Sequence, residues 1–409
     1  MSRAVRAPVP PSEPSPALPQ SRRVVFALMG QVFISMIGTS LVSPILPLYA
    51  QSFGVTAVVA GGLVTAFGIA RILVNVPAGS LGERIGRRPL LVGGLLITAL
   101  GALLSGLATQ FWQLMAFRFL QGVGSAAQTT TAMITLADIS TSRDRGRNMS
   151  MHQGSLLLGS GVGPAIGGFL AEAYGYRAPF FGYAGMALLA ALWAYLIVPE
   201  TKGLAGAGSR PSHGRRGEAT TGGRRAVLDL LATPGFMLVS LVTFAIFFTR
   251  SGGRSFVLPL LAHNRLGLSE GQMGTTFSVI AAFNFFTINL SGVLCDRYGR
   301  KAVIVPASIL SGAALFLFTL SRGYGAFTGC GALLGVATGL AGPAPAAYVA
   351  DITPPGRTGV TMGLYRTIGD VGMSIGPLLL GWIVDHVGYS QALWVNAGLF
   401  AVAGAAFGL

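Results

Sequence analysis

Apolar runs of about twenty residues follow one another from residue 24 onward, broken by short polar turns. A helix needs roughly 20 apolar residues to cross a hydrocarbon core about 30 Å thick. Such stretches are predicted at 24–48, 57–81, 90–109, 111–137, 150–172, 178–199, 234–258, 272–295, 302–320, 325–350, 359–384 and 391–409. The reading is an all-α integral membrane protein, with twelve transmembrane helices in two six-helix repeat halves around a central cavity. Residues 1–22, Pro-rich and without an apolar stretch, read as a cytoplasmic tail. Residues 23–200 and 234–409 read as the two halves, and 201–233, rich in Gly, Ser and Arg, as the cytoplasmic linker between them.

The polar residues inside these spans are few and ordered. Gln31, Ser35, Thr39 and Ser43 recur every four residues in the first span, and Arg118, Gln121, Ser125 and Gln128 form a similar stripe in the fourth. Facing a cavity and hydrogen-bonding a neighbouring helix both produce such stripes. Arg71 lies deep in the second span; Arg250 and Arg254 flank Ser-Gly-Gly in the seventh; Arg366 and Asp370, four apart, share a helix face in the eleventh. Charges at this depth are costly and mark transport paths or internal partners. The candidate substrate and proton cavity therefore comprises Gln31, Arg71, Arg118, Gln121, Arg250, Asn284, Arg366 and Asp370. Five intramembrane arginines face one well-placed carboxylate, which favours neutral, zwitterionic or anionic substrates. Phe244, Phe247, Phe248, Phe277, Phe283, Phe285 and Phe286 suit amphipathic ones, or face lipid.

Composition excludes an ordinary soluble fold. Hydrophobic residues make up 52% of the 409 and charged residues only 10%, against about 25% in soluble domains. The net charge of +15 would suit nucleic acid, yet its bases sit in short loops between apolar runs. Placing both termini in the cytoplasm puts twenty of the 28 Lys and Arg there, three outside and five within spans. The expected location is a multi-pass cytoplasmic (inner) membrane protein. The four histidines have no metal spacing, and two cysteines build no disulfide framework.

The halves repeat at an offset of 213 residues. Gly79-Ser-Leu-Gly-Glu-Arg-Ile-Gly-Arg-Arg88 aligns with Gly292-Val-Leu-Cys-Asp-Arg-Tyr-Gly-Arg-Lys301, Asp138 with Asp351, and Gly159, Gly163-Pro164 and Gly168 with Gly372, Gly376-Pro377 and Gly381. Six spans per unit give the halves one orientation, related by an axis along the membrane normal. A substrate site then lies between the halves near the midplane.

The run 79–88 resembles the loop 2–3 signature of the major facilitator superfamily, G-x-L-x-D-R-x-G-R-R/K, with Glu83 in place of the aspartate kept as Asp296. Arg118-Phe-Leu-Gln121-Gly122-Val-Gly124-Ser-Ala-Ala127 and Gly154 to Gly167 resemble motifs of its drug:proton antiporters, and Pro199-Glu200-Thr201 also fits. The resemblance implies a cytoplasmic gate of Gly79, Glu83, Arg84, Arg87 and Asp138 with Gly292, Asp296, Arg297, Arg300 and Asp351. There the acid, the arginine four positions on and the acid ending the next-but-one span would lock the outward-open state. Gly159, Gly163, Pro164, Gly376 and Pro377 are expected to bend and pack helices.

The expected function is proton-coupled efflux of small amphipathic molecules by alternating access. The alternatives are a proton-coupled uptake symporter for an anionic molecule and a lipid flippase. No enzyme, metal site or cofactor is expected. The proton gradient is the energy source, the partners are a small-molecule substrate and membrane lipids, not nucleic acid, and the expected state is a monomer. The G-x-S-x-G of Gly372 to Gly376 imitates a hydrolase elbow, but it sits inside a span instead of a strand-to-helix turn.

Overall fold

The structure, a computed structural model, describes residues 18–140, 144–201, 233–353 and 358–408. The proposed tail before Leu18, most of the linker, Arg143 and Arg357 lie outside them. The described residues form helices and no strand. In order these are α1 Leu18–Leu41, α2 Leu46–Gln51, α3 Ala57–Ile85, α4 Arg87–Leu107, α5 Phe111–Ile139, α6 Arg145–Tyr174 and α7 Ala178–Ile197. The second set is α8 Pro234–Phe248, a π-helical turn Thr249–Val257, α9 Leu258–Asn264, α10 Glu270–Tyr298, α11 Arg300–Leu320, α12 Tyr324–Ala341, α13 Ala344–Ile352, α14 Thr358–His386 and α15 Tyr389–Gly408.

Eleven of the resulting rods are long and apolar enough to cross a membrane. The remaining long rod, α5, is the one carrying Arg118, Gln121, Ser125 and Gln128, all buried among its neighbours. Its polar groups face protein, while Trp112, Phe119 and Met133 lie exposed on its outer side.

Beyond shifts of a few residues at helix ends, four features depart from the sequence reading. α1 begins at Leu18, inside the expected tail, because Pro19 falls in the first helical turn, where a missing N–H costs nothing. The first span breaks between Leu41 and Leu46, where α2 starts with Pro47 in its own first turn. The tenth breaks between α12 and α13 at Gly342-Pro343. The seventh widens into the π-helical turn around Ser251-Gly252-Gly253.

Single residues join α3 to α4 and α10 to α11. Gly86 and Gly299, 213 apart, have φ of 105° and 87°, a region that side-chain-bearing residues avoid. Within the first set α1 packs on α6 and α7, and α5 on α3 and α4; within the second α10 packs on α12, and α8 and the π turn on α14. Only two pairings of long helices hold the sets together broadly, α3 with α14 and α6 with α10.

Candidate functional site

The two pairings between the sets obey the same 213-residue relation as the sequence. A Cβ built on Gly61 would lie 2.6 Å from the Pro377 carbonyl oxygen, and one on Gly274 would meet the Pro164 carbonyl in the same way. Gly381 meets Ala57 and Gly168 meets Glu270 as a second such pair. The Thr65 hydroxyl donates to the Ser374 carbonyl at 2.9 Å, and the Ala165 amide donates to Ser278 Oγ at 3.2 Å. Pro164, Pro377 and the glycines around them thus form close crossings between the sets as well as permitting helix bends. Gly159 and Gly163 face α1 instead, against the carbonyls of Phe33 and Ile37. Gly376 approaches the Phe248 carbonyl.

Toward the ends of α6 and α14 the crossings finish in two carboxylate caps. Asp385 accepts hydrogen bonds from the Ala57 and Val58 amides, both at 2.8 Å. Thr56, the residue preceding α3, supplies no side-chain cap itself, so the orphan amides of α3 are satisfied from the other set. Glu172, the repeat equivalent of Asp385, accepts from the Gly271 amide at 2.9 Å and from Ser269 Oγ at 3.1 Å at the start of α10. Between them Asn264 Nδ2 donates to Gln51 Oε1 at 3.0 Å, and these two residues are also 213 apart. The Tyr176 hydroxyl donates to Glu270 at 3.1 Å; burial and then the Glu270 charge push that phenol up to about 12, so it stays a donor near neutral pH. Sequence reasoning passed over this seal. Its one signal was an acid at both Glu172 and Asp385.

At the opposite, basic face lie the signature loops. Arg87 Nε pairs with Asp138 Oδ2 at 3.3 Å, and Arg300 Nε pairs with Asp351 Oδ2 at 3.3 Å, the same contact in both sets. Arg300 also reaches Asp296 at 2.9 Å, completing the second triad. The first triad is incomplete: Glu83 is exposed and bonds no described residue, unlike the relay that the resemblance implies. The longer glutamate places its carboxylate away from Arg87. Glu200 contributes instead, accepting from the Arg87 and Arg88 amides at 2.9 and 3.1 Å to cap α4. Arg297 stacks over Tyr298, Gly79 packs near Ile134 and Gly292 faces open space.

The polar stripes of α1 and α5 turn toward each other. Gln31 donates to Gln128 at 2.8 Å, Gln128 to Ser35 at 2.7 Å, and Arg118 to Gln121 at 2.6 Å with its guanidinium 4.7 Å from the Phe67 ring. Gln31, Arg118 and Gln121 are thereby buried within the first set, in place of the cavity lining expected for them. Buried amides and charges need such partners, and neighbouring helices provide them. Asn284 likewise bonds Thr338 of α12 at 3.0 Å.

Arg71, Arg250, Arg366 and Asp370 remain together. They come from α3, the π turn and α14, and Arg71 lies within electrostatic range of the other three. Arg250 and Arg366 are solvent-exposed despite their position within spans. Arg366 and Asp370 form no ion pair, although one turn apart. No group of three or more His, Cys, Asp or Glu among the described residues could hold a metal. Ser374 of the hydrolase-like pattern donates to the Asp370 carbonyl inside α14.

A helical bundle of two sets, sealed between them at one face and lined by charged side chains in the middle, defines a membrane transporter and not an enzyme. The family model of the Major Facilitator Superfamily matches residues 28–293 and 241–409, and the chain belongs to that superfamily. It is 25% identical over 369 residues to Multidrug resistance protein 2 of Bacillus subtilis, covering 90% of each chain. It is 23% identical over 366 residues to Quinolone resistance protein NorA of Staphylococcus aureus, covering 88% of this chain and 90% of NorA. The fold also matches an inward-facing, occupied crystal structure of a bacterial homologue of the human lysosomal transporter Spinster, with TM-score 0.77, 17% identity, and 95% and 96% of the chains covered.

Proposed function

We propose that this chain exports small amphipathic molecules across the cytoplasmic membrane by alternating access, driven by the proton gradient. With the basic face cytoplasmic on the positive-inside argument, the face closed by the Asp385 and Glu172 caps is the outer one. The residue-by-residue correspondence of the cross-set contacts carries the reading. Two sets joined at one face by repeat-related contacts can part there and close at the other face, presenting the cleft to either side in turn. The names of the relatives support export of drug-like molecules.

Asp370 is the proposed proton carrier, a half-buried carboxylate between the sets with no ion-pair partner among the described residues. Inside-out vesicles with an imposed pH gradient test both ideas. Accumulation of amphipathic dyes on acidifying the lumen is expected from the native protein and not from Asp370→Asn. Dye exchange at equal pH, which moves no net proton, is expected to survive in that variant. Gradient-driven accumulation persisting in Asp370→Asn would remove its proton role.

The unpaired arginines favour a second reading, uptake of an anion together with a proton. A bound anion beside Asp370 stabilises its protonated form, so anion and proton travel together, whereas a bound cation displaces the proton. Net proton movement with the substrate, measured by a lumenal pH dye, separates symport from antiport.

A further inference from the structure

Arg71, Arg250 and Arg366 have no hydrogen-bond or ion-pair partner among the described residues, and their placement defines what the cleft binds. α3 and α14 cross at Thr65–Ser374, with Gly68 against Ser374 as the next contact. Arg71 stands six residues past Thr65, about 9 Å further toward the basic face. Asp370 and Arg366 stand four and eight residues before Ser374 on α14, about 6 and 12 Å in the same direction. Arg250 joins them from the π turn, whose Gly252 backbone abuts Gly376. Arg71 belongs to one set and Arg250 and Arg366 to the other. The Thr65–Ser374 and Gly252–Gly376 contacts place them on the basic side of the crossing between the sets, within electrostatic range of one another.

None of the three donates a hydrogen bond or forms an ion pair with a described residue. Arginines with a structural role in this chain look different. Arg118 bonds Gln121, Arg87 pairs with Asp138, and Arg300 has two carboxylates. Each guanidinium offers five N–H donors and a positive charge, and among the described residues Asp370 is the carboxylate within range of Arg71. A cationic ligand would add to that repulsion. An acid group would relieve it and accept paired hydrogen bonds from the planar forks. Apolar surface lies beside the charges: Phe247 packs over Gly369 and Phe244 over Gly372 on α14, and Arg71 lies 5.9 Å from the Phe67 ring.

We infer that Arg71, Arg250 and Arg366 form an anion site, and that the transported molecule is an organic acid: a carboxylate or similar acid group on an aromatic or aliphatic body. The inference rests on the transport reading for its consequence, but the site itself can be tested by binding alone. An anionic lipid presents the same chemistry as a free organic acid, and both would seat the acid group on the same forks.

A matched set of probes tests it: 1-naphthaleneacetate, its neutral amide, and 1-naphthylmethylammonium, titrated calorimetrically into the full chain in phosphatidylcholine nanodiscs. The acid is expected to bind about tenfold or more tighter than the amide, as one charge-assisted pair would give. Arg71→Gln and Arg366→Gln should each bring acid binding close to amide binding measured on the same variant. Arg71→Lys and Arg366→Lys, which keep the charge, should retain part of the preference and guard against a folding defect in the glutamine variants. Equal binding of acid and amide, a preference for the ammonium, or an unchanged acid preference in the variants would overturn the site. Loss of the acid preference only in phosphatidylglycerol nanodiscs would identify the lipid headgroup as the occupant of that same site. In inside-out vesicles, selective acid binding with no movement of any probe would sink the transport reading and leave the site standing. Movement of the ammonium without acid preference would do the reverse.

Discussion

Replacing Asp385 with Asn and Glu172 with Gln together opens the face that these residues seal. Each carboxylate bonds the first amides of a helix that belongs to the other set, Asp385 on α3 and Glu172 on α10. Hydrogen bonds to a charged group contribute about 1.5–3 kcal/mol, and the helix dipole adds about 0.3–1 kcal/mol where the site is exposed. The amides that replace the acids keep a carbonyl acceptor but lose the charge. Removing both charges is therefore expected to cost the sealed state about 1–3 kcal/mol, a shift of roughly 5- to 150-fold in its ratio to the alternative. Spin labels at Tyr174 and Val387 report on the sealed face, and labels at Ile85 and Tyr298 on the basic face. All four are exposed and each pair is 213 apart. Cys295 and Cys330, both free, are first replaced. Distances should lengthen at 174–387 and shorten at 85–298 in the double variant. Distributions matching the parent at both faces would show that the caps do not hold the seal.

Much of this architecture was legible in the order of residues. Helix number and length follow from the apolar runs, because lipid leaves a chain few alternatives to helices with every backbone bond made internally. The repeat at 213 residues was legible too, and it extends beyond the quoted motifs to single contacts such as Gln51 with Asn264. Direction around each helix was less so. The stripes of α1 and α5 were consistent with a cavity or a neighbour, and only packing showed Gln31 and Gln128 meeting each other. Spacing also places Arg366 and Asp370 on one face without making them a pair. A base preceding an acid by four residues is the weaker orientation for a helical ion pair, and in the cleft neither is forced against the other. The seal was hidden because a carboxylate near the end of a span reads as an ordinary solvated end. What distinguishes Asp385 and Glu172 is the helix start each meets in the other set, the uncapped one of α3 and the Gly271 amide of α10, a fact of tertiary arrangement.

Alanine at Gly61 is expected to abolish most transport without unfolding the chain, while alanine at Gly167 is expected to damage the fold itself. The two substitutions add the same methyl group. At Gly167 it would run into the Leu41 carbonyl of α1, a contact within one set that persists whichever way the cleft opens. Overpacking of that kind costs typically 1–3 kcal/mol, and backbone cannot rotate aside as a side chain can. Thermal stability and folded yield of Gly167→Ala should fall. At Gly61 the methyl would sit 2.6 Å from the Pro377 carbonyl oxygen, and the atoms nearest to it all belong to α14 of the other set. The clash therefore burdens only the state in which the sets meet at this crossing, and a penalty borne by one state shifts populations. Gly61→Ala should keep near-normal thermal stability, adopt the state open at the sealed face, and turn over at least about tenfold more slowly, the cost of about 1.4 kcal/mol in a required closing step. Gly62 supplies the control. A methyl there would lie 3.3 Å from the flexible end of Met115, within the first set, so Gly62→Ala should transport almost normally. Normal turnover in Gly61→Ala would mean that the α3–α14 crossing loosens during the cycle more easily than its geometry implies, and that closure depends on other contacts.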